Sequence, residues 1–406
     1  MFEITGGTYI EHCIYPEWHE IYGSGLRAAV SLALCCKNIV RLSSFVAESD
    51  RLNVQAIASS FGFDLICGKT DATVAFSYFH GFSTPHIWPH PIAIPDTKPL
   101  IVKGSKVLRF GFIEGSAIVH GDKVVYDPQS PIYPKPFAEN GSQARELAVI
   151  ANRREAMLLL GRKGSPAELA ELLRKKEKAE IVIIKRGPWG CVLADKKGLV
   201  NVPAYETDFV WPLGSGDVFA AFFTYGWAEL GLTPVKACHL ASKATAYYCS
   251  NRSLPIPKGF EKANEFRPVA MGSSKYRQKK KKVYLAGPFF NIGQRWLIEE
   301  VRDALLGSGV GVFSPLHEAG TGSAKEVYGP DMAGLKKCDV VLACLDGLDS
   351  GTIYEIGYAK AQGKPVIVYV NSEPKERLKM IEGAGCIMTD DLCTAIYKTI
   401  WTIMRI

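Results

Sequence analysis

The sequence predicts an α/β protein of two domains, and three observations carry that reading. After residue 282, short apolar runs alternate with amphipathic stretches, the pattern of a parallel, doubly wound sheet. Residues 1–262 alternate similarly, and near their end a glycine turn opens an almost wholly apolar helix, Val210-Trp-Pro-Leu-Gly-Ser-Gly-Asp-Val-Phe-Ala-Ala-Phe-Phe223. Between the two lies Ala270-Met-Gly-Ser-Ser-Lys-Tyr-Arg-Gln-Lys-Lys-Lys-Lys282, basic and without an acidic residue, which reads as a solvated linker. The expected boundaries are a larger α/β domain over 1–262, a basic linker over 263–281 and a smaller domain over 282–406.

Composition narrows the function classes. Hydrophobic residues make up 47% and charged residues 22%, ordinary material for substantial cores, and no apolar run reaches the length of a membrane span. The first residues lack the basic-then-apolar layout of a signal peptide. The 11 cysteines form no CxxC pair and no metal-ligand spacing, so reduced thiols in a cytoplasmic protein are expected. Of the net charge of +7, Lys275, Arg277 and Lys279 to Lys282 supply six, so nucleic-acid binding finds no support outside the linker.

In the first domain, Val124-Val-Tyr-Asp-Pro-Gln-Ser130 precedes Asn152-Arg-Arg-Glu155, which stands at a helix start. Ile181-Val-Ile-Ile-Lys-Arg-Gly-Pro-Trp-Gly-Cys-Val-Leu193 reads as strand, glycine turn and strand, suited to lying against a nucleotide. At the helix start that follows, the backbone N–H groups of Gly214, Ser215 and Gly216 form an anion site. Asp217, just inside it, is placed to take a proton from a hydroxyl attacking a phosphoryl group. The aromatic cluster Phe76-Ser-Tyr-Phe-His-Gly-Phe82 with Trp88, and Tyr247-Tyr248, read as core.

The second domain reads as strand 283–287, helix about 292–307, strand 310–314, helix about 325–337, strand 339–345, helix 351–362 and strand 365–370. In its first helix Trp296, Leu297, Val301 and Leu305 mark a buried face. Its most informative stretch is Leu345-Asp-Gly-Leu-Asp-Ser-Gly-Thr-Ile-Tyr-Glu-Ile-Gly-Tyr-Ala359. Asp346 and Asp349 fall at the carboxyl end of a strand, where open parallel sheets bind ligands. Gly347 and Gly351 let a ligand approach the backbone. Glu355 falls on the first turns of the next helix, whose dipole is expected to keep it ionised, as suits a nucleophile. Tyr284-Leu-Ala-Gly-Pro-Phe-Phe290 closes the first strand, with Gly287, Phe289 and Phe290 at the same edge. Gly329-Pro-Asp331 opens the helix before Cys338-Asp-Val-Val-Leu-Ala343. His317, near another strand end, is a lesser candidate for substrate contact.

Taken together, these second-domain motifs resemble the nucleoside 2-deoxyribosyltransferase family over about residues 282 to 372. The resemblance implies Glu355 as nucleophile, Asp349 and Asp331 as acidic partners around the base, and Tyr284 as the residue that positions the nucleophile. Asp346, Gly287, Gly351, Phe289 and Phe290 fall on the substrate side. A carboxylate beside the anomeric carbon can capture an oxocarbenium-like centre, and a second carboxylic acid can protonate the departing base. The sequence does not choose between Asp349 and Asp331 for that second role. No cofactor is implied for this domain. The family usually completes its site across a subunit interface with the chain's C-terminus, so a homo-oligomer is expected, yet Met404-Arg-Ile406 offers no obvious donor.

The first domain, through "DPQSP … NRRE … IKRGPWG … GSGDVFAAF", resembles the PfkB (ribokinase-like) carbohydrate kinase family. The resemblance implies a ribokinase-like α/β/α fold, Asp217 as catalytic base and Gly214, Ser215 and Gly216 as anion hole. ATP would lie near Lys185, Gly187 and Gly190, and Asn152 and Glu155 would organise magnesium and phosphate indirectly. Glu11 stands where a sugar-gripping aspartate is usual, with Gly23 and Gly25 near the N-terminal glycine pair. Three departures stand out. Trp211-Pro212 replaces Asp-Thr, Arg27-Ala28 occupies the neighbourhood of an expected asparagine, and the domain is short, so its lid of small strands is expected to be reduced.

The combined reading is a cytoplasmic enzyme of nucleoside or nucleotide metabolism acting on a small-molecule nucleoside or its 5′-monophosphate, with a free nucleobase and ATP as further partners. ATP and magnesium belong to the first domain if it is active. Two rivals are kept: a kinase with a nucleotide-sensing second domain, and a non-catalytic nucleotide-binding protein.

Overall fold

The computed structural model describes residues 1–95, 97–263, 266–270 and 281–406. Most of the basic linker, including Lys275, Arg277, Lys279 and Lys280, lies outside the described residues. The chain divides into two compact units, Met1–Thr207 with Trp211–Pro268, and Asp208–Val210 with Val269–Ile406. Among the described residues no helix is long and apolar enough to cross a membrane. All 11 cysteines carry free thiols.

The first unit is built on a nine-stranded sheet in the order Gly198–Val202, Cys191–Asp195, Ile181–Lys185, Gln143–Asn152, Ala117–Asp127, Leu100–Phe110, Phe2–Thr5, Val40–Ala47, Asp64–Thr70. Every pairing is parallel except the two made by Cys191–Asp195. Both faces are covered, and the strands show why. Val182 and Ile184 join the core with Leu159 and Leu169 of the helices Arg153–Leu160 and Pro166–Glu177, while Ile181 and Ile183, pointing the other way, are equally buried. The helices Gly23–Leu32, Ser215–Thr224 and Pro234–Asn251 pack on one another as a second group.

A separate sheet of four short strands, Trp18–Ile21, Ile10–Cys13, Ala75–Tyr78 and His86–Trp88, belongs to the same unit. The small strands that the short domain was expected to reduce form a paired sheet of four. The aromatic cluster at residues 76–82 lies on and beside this sheet, half-buried rather than in a closed core, with Phe76 stacked on Tyr78.

The second unit carries five parallel strands in the order Gly311–Phe313, Lys282–Ala286, Val340–Cys344, Val366–Tyr369, Ile387–Thr389. In an order of 2-1-3-4-5 the connections leave the first and third strands in opposite directions, which opens a crevice at their carboxyl ends. Gly287 follows the first strand and Leu345 to Asp349 the third, so the chemistry-bearing loops share one edge.

Helix starts in this unit are fixed by side-chain caps. Asn291 and Gln294 form a capping box for Ile292–Gly307, Ser323 and Glu326 another for Ala324–Lys337, and Asp349 caps Ser350–Ala361. Gly329-Pro-Asp331 thus does not open its helix. The cap at Ser323 starts it earlier and Pro330 lies inside. In Ile292–Gly307 the buried face is Ile298, Val301 and Leu305, and Trp296 is exposed, because that face turns one residue from the one expected.

Gly334 sits directly over Phe313, where an added Cβ would come within 2.2 Å of the ring. Phe313 in turn stacks on Tyr284 with centroids 5.5 Å apart and planes at 11°. Gly334→Ala is expected to destabilise the second unit by about 1–3 kcal/mol through overpacking, read as a lower urea midpoint.

Candidate active sites

In the second unit the strand Lys282–Ala286 points Tyr284 into the core, fully buried, with its hydroxyl donating to Glu355 Oε1 at 2.5 Å. Glu355 stands on the second turn of Ser350–Ala361, the start of which is set by Asp349. Asp349 Oδ2 accepts from the Thr352 amide at 2.8 Å and from its hydroxyl at 2.9 Å, so the carboxylate that caps the helix also aims Glu355.

The charge state of Glu355 departs from the sequence expectation. Burial pushes its carboxyl up to about 7, the Tyr284 hydrogen bond pulls the other way, and Asp331 and Asp349 add repulsion. The helix start cannot keep it ionised, because its influence fades within the first turn. Asp331 is also raised by burial, and its Oδ1 is buried with no hydrogen-bond partner. Tyr284 is held firmly protonated by burial and by Glu355.

The surrounding residues sort by what they touch. Asp346 Oδ1 accepts from the amides of Asn371 at 2.9 Å and Ser372 at 2.7 Å, so this oxygen fastens the loop after Val366–Tyr369. Asp346, expected on the substrate side, thus has one oxygen committed to that loop. Gly347, with φ 89°, donates its amide to Glu373 Oε1 at 2.9 Å. At Gly287 a Cβ would come within 2.8 Å of Ile298 Cδ1 and 3.1 Å of Cys344 Cβ, so the glycine is required by packing. Gly351 lies beside Asp349, with a Cβ there 3.1 Å from Oδ2. Phe289 and Phe290 have ring centroids 5.7 Å apart, and Phe290 is 73% exposed, a surface suited to stacking. His317 has both ring nitrogens engaged, with Ser314 Oγ at 3.1 Å and Glu299 Oε1 at 2.9 Å.

In the first unit three parallel strands end on Asp127, Asn152 and Lys185. Lys185 Nζ donates to Asp127 Oδ2 at 2.6 Å and lies 3.3 Å from where a Cβ on Gly216 would be. The cation therefore sits at the glycine turn beside Gly216, while the Ser215 amide donates to Pro212 O at 3.1 Å. Asp127 is fully buried with Oδ1 unpartnered. Burial raises its carboxyl to about 7 against the pull of Lys185. Asn152 and Glu155 cap Arg153–Leu160 reciprocally, Asn152 Oδ1 accepting from the Glu155 amide at 2.8 Å and Glu155 Oε2 from the Asn152 amide at 2.7 Å. Among the described residues no three of His, Cys, Asp and Glu converge to hold a metal ion. Gly187 and Gly190, at φ 55° and 74°, shape the turn between two strands, and a Cβ on Gly190 would meet Val202 O at 2.1 Å.

Asp217 lies in the first turn of Ser215–Thr224, as the sequence implied, with both oxygens engaged. Oδ2 accepts from Arg27 Nη1 at 2.9 Å and Oδ1 from Gln129 Nε2 at 2.6 Å. Glu11 faces the same guanidinium and accepts the Gly23 amide at 3.1 Å. Asp127, Gln129 and Arg27 were not read as site residues from sequence. Asp127 ends an apolar run before a proline, a signal that could have found it. Nothing local marks Gln129.

A pH test follows from Glu355. A carboxyl raised in the folded state favours folding below its ordinary range, and that advantage is lost as pH rises through about 7. Glu355→Gln should therefore stabilise the second unit at about pH 8, by up to roughly 3 kcal/mol, and leave it nearly unchanged at about pH 4. Urea melts at the two pH values measure the difference.

Comparison with known proteins bears on both units. Residues 283–390 match the model of the nucleoside 2-deoxyribosyltransferase family, and residues 114–257 match that of the pfkB family of carbohydrate kinases. No curated protein matches the chain. Among solved structures, a ribokinase from Thermotoga maritima is similar at 15% identity and a TM-score of 0.46, over 64% of this chain and 98% of its own. Phosphofructokinase-2 from Escherichia coli in complex with potassium is similar at 12% identity and a TM-score of 0.46, over 64% and 97%. A PfkB protein from Polaromonas sp. JS666 shows 16% identity and a TM-score of 0.45, over 65% and 100%. The chain carries, from N- to C-terminus, a domain of the pfkB carbohydrate kinase family and a domain of the nucleoside 2-deoxyribosyltransferase family.

Proposed function

We propose that the second domain breaks the N-glycosidic bond of a 2′-deoxynucleoside or its 5′-monophosphate through a covalent intermediate on Glu355. The observation that carries this reading is the buried Glu355, hydrogen-bonded to Tyr284 and facing two further carboxyl groups, Asp331 and Asp349. The ionised Glu355 oxygen attacks the anomeric carbon as the bond to the base breaks, and the bonding pair leaves with the base. Asp331 gives that base a proton. Its raised carboxyl and unpartnered oxygen suit a general acid. Asp349 is the poorer candidate, because its Oδ2 already accepts two hydrogen bonds from Thr352 as the helix cap. An incoming base, giving its proton to Asp331, or a water then releases the sugar. The first outcome is transfer and the second hydrolysis. Phe289 and Phe290 offer stacking faces for the base.

Chromatography of a panel of 2′-deoxynucleosides and their monophosphates, with and without a second free base, tests this. Base release or exchange is expected, with Glu355→Ala lowering it by about 10³-fold or more. No release from any panel member would sink the reading for those substrates. Asp331→Asn should cost about 10²–10⁴-fold, most severely for bases that need protonation to leave. Tyr284→Phe removes the hydrogen bond that favours ionised Glu355, so the acid limb of the pH–rate profile should move to higher pH.

A further inference from the structure

Arg27 is 1% exposed, on the helix Gly23–Leu32, and is held by two carboxylates from distant parts of the chain. Its Nη1 donates to Glu11 Oε1 and to Asp217 Oδ2, each at 2.9 Å, and its Nη2 donates to Glu11 Oε2. The guanidinium lies against the glycine turn, since a Cβ on Gly214 would fall 2.1 Å from Arg27 Nε. The Tyr22 ring covers it, 5.0 Å from centroid to Cζ. Gln129 takes the remaining oxygen of Asp217.

Phosphoryl transfer at this turn has a fixed requirement. The attacking hydroxyl oxygen forms a bond to phosphorus, the bond to the ADP oxygen breaks with its electron pair, and the hydroxyl proton goes to a nearby base. Asp217 is the carboxylate in the first turn of the helix whose N-terminus offers the anion site. With one oxygen on Arg27 and the other on Gln129, both its oxygens are already held, so an acceptor hydroxyl meets a carboxylate tied to the guanidinium. Glu11, which would grip an acceptor hydroxyl from the other side, is held by the same guanidinium. The arrangement is also hard to open, because withdrawing Arg27 would leave two buried carboxylates without a cation.

We propose that Arg27 is a built-in plug of the phosphoryl-acceptor position, so that the first domain in this conformation does not transfer phosphoryl groups. The inference rests on the ion cluster alone and is independent of the glycosidic reading of the second domain. It also differs from the altered Trp211-Pro212 segment as a reason for silence, since it names a contact that can be removed.

The test uses the full chain. Incubated with ATP and magnesium and a panel of pentoses, hexoses and nucleosides, it should form no ADP above a protein-free blank. ADP formation that falls at least tenfold in Asp217→Asn would overturn the proposal. In parallel, Arg27→Met should lower the melting temperature of the first domain by roughly 10 °C, and adding Glu11→Gln and Asp217→Asn to it should regain at least half of that loss. A melting temperature for Arg27→Met equal to that of the wild type would also overturn the proposal. If Arg27→Met does not fold, Arg27→Lys serves in its place. A single ammonium cannot hold both Glu11 oxygens and Asp217, so a lower melting temperature is again expected, and an unchanged one counts against the plug.

Discussion

Parallel strand pairing brings the chemically active residues of each unit to one edge. In a parallel sheet every strand points the same way, so the residues that end neighbouring strands emerge together and the following helices start beside them. In the first unit Asn152 is paired with Lys185 in register, and the neighbouring strand ends on Asp127, which brings a carboxylate and an ammonium within 2.6 Å. In the second unit Tyr284 is in register with Val341 on one side and Phe313 on the other, beneath the helix that carries Glu355. No residue of either site is placed by its nearest sequence neighbours alone.

The two units treat buried carboxylates in opposite ways. In the first, Asp217 and Glu11 are neutralised by Arg27 and Asp127 by Lys185. Asp127 is nevertheless raised to about 7 by burial, and its Oδ1 has no partner. In the second, Glu355 has a hydroxyl rather than a cation as its partner, and Asp331 has an oxygen with no partner. Burial raises both groups, and at Glu355 the repulsion of Asp331 and Asp349 adds to it. Cations thus answer the carboxylates of the first unit, and a hydroxyl answers Glu355 in the second.

Much of the site was legible because caps and glycine turns are local. Asp349, Glu355, Tyr284 and the turn at Gly214 could be placed from strand and helix patterns, and each lies on the element expected of it. The misreadings have a common cause. Asp346 was taken for a ligand contact because it ends a strand, but two amides 25 and 26 residues later claim its oxygen. His317, the lesser candidate for substrate contact, is held by Glu299. Pro330 suggested a helix start, yet Ser323 and Glu326 had already capped the helix.

By itself the sequence determined the α/β alternation, the two-domain layout and the elements on which the candidate carboxylates lie, because periodicity, caps and glycine turns act over a few residues. Only the tertiary structure decided which of those carboxylates keep a free oxygen. Asp217 meets Arg27 across 190 residues and Glu355 meets Tyr284 across 71. Burial, which sets their protonation, exists only once the sheets and helices have packed.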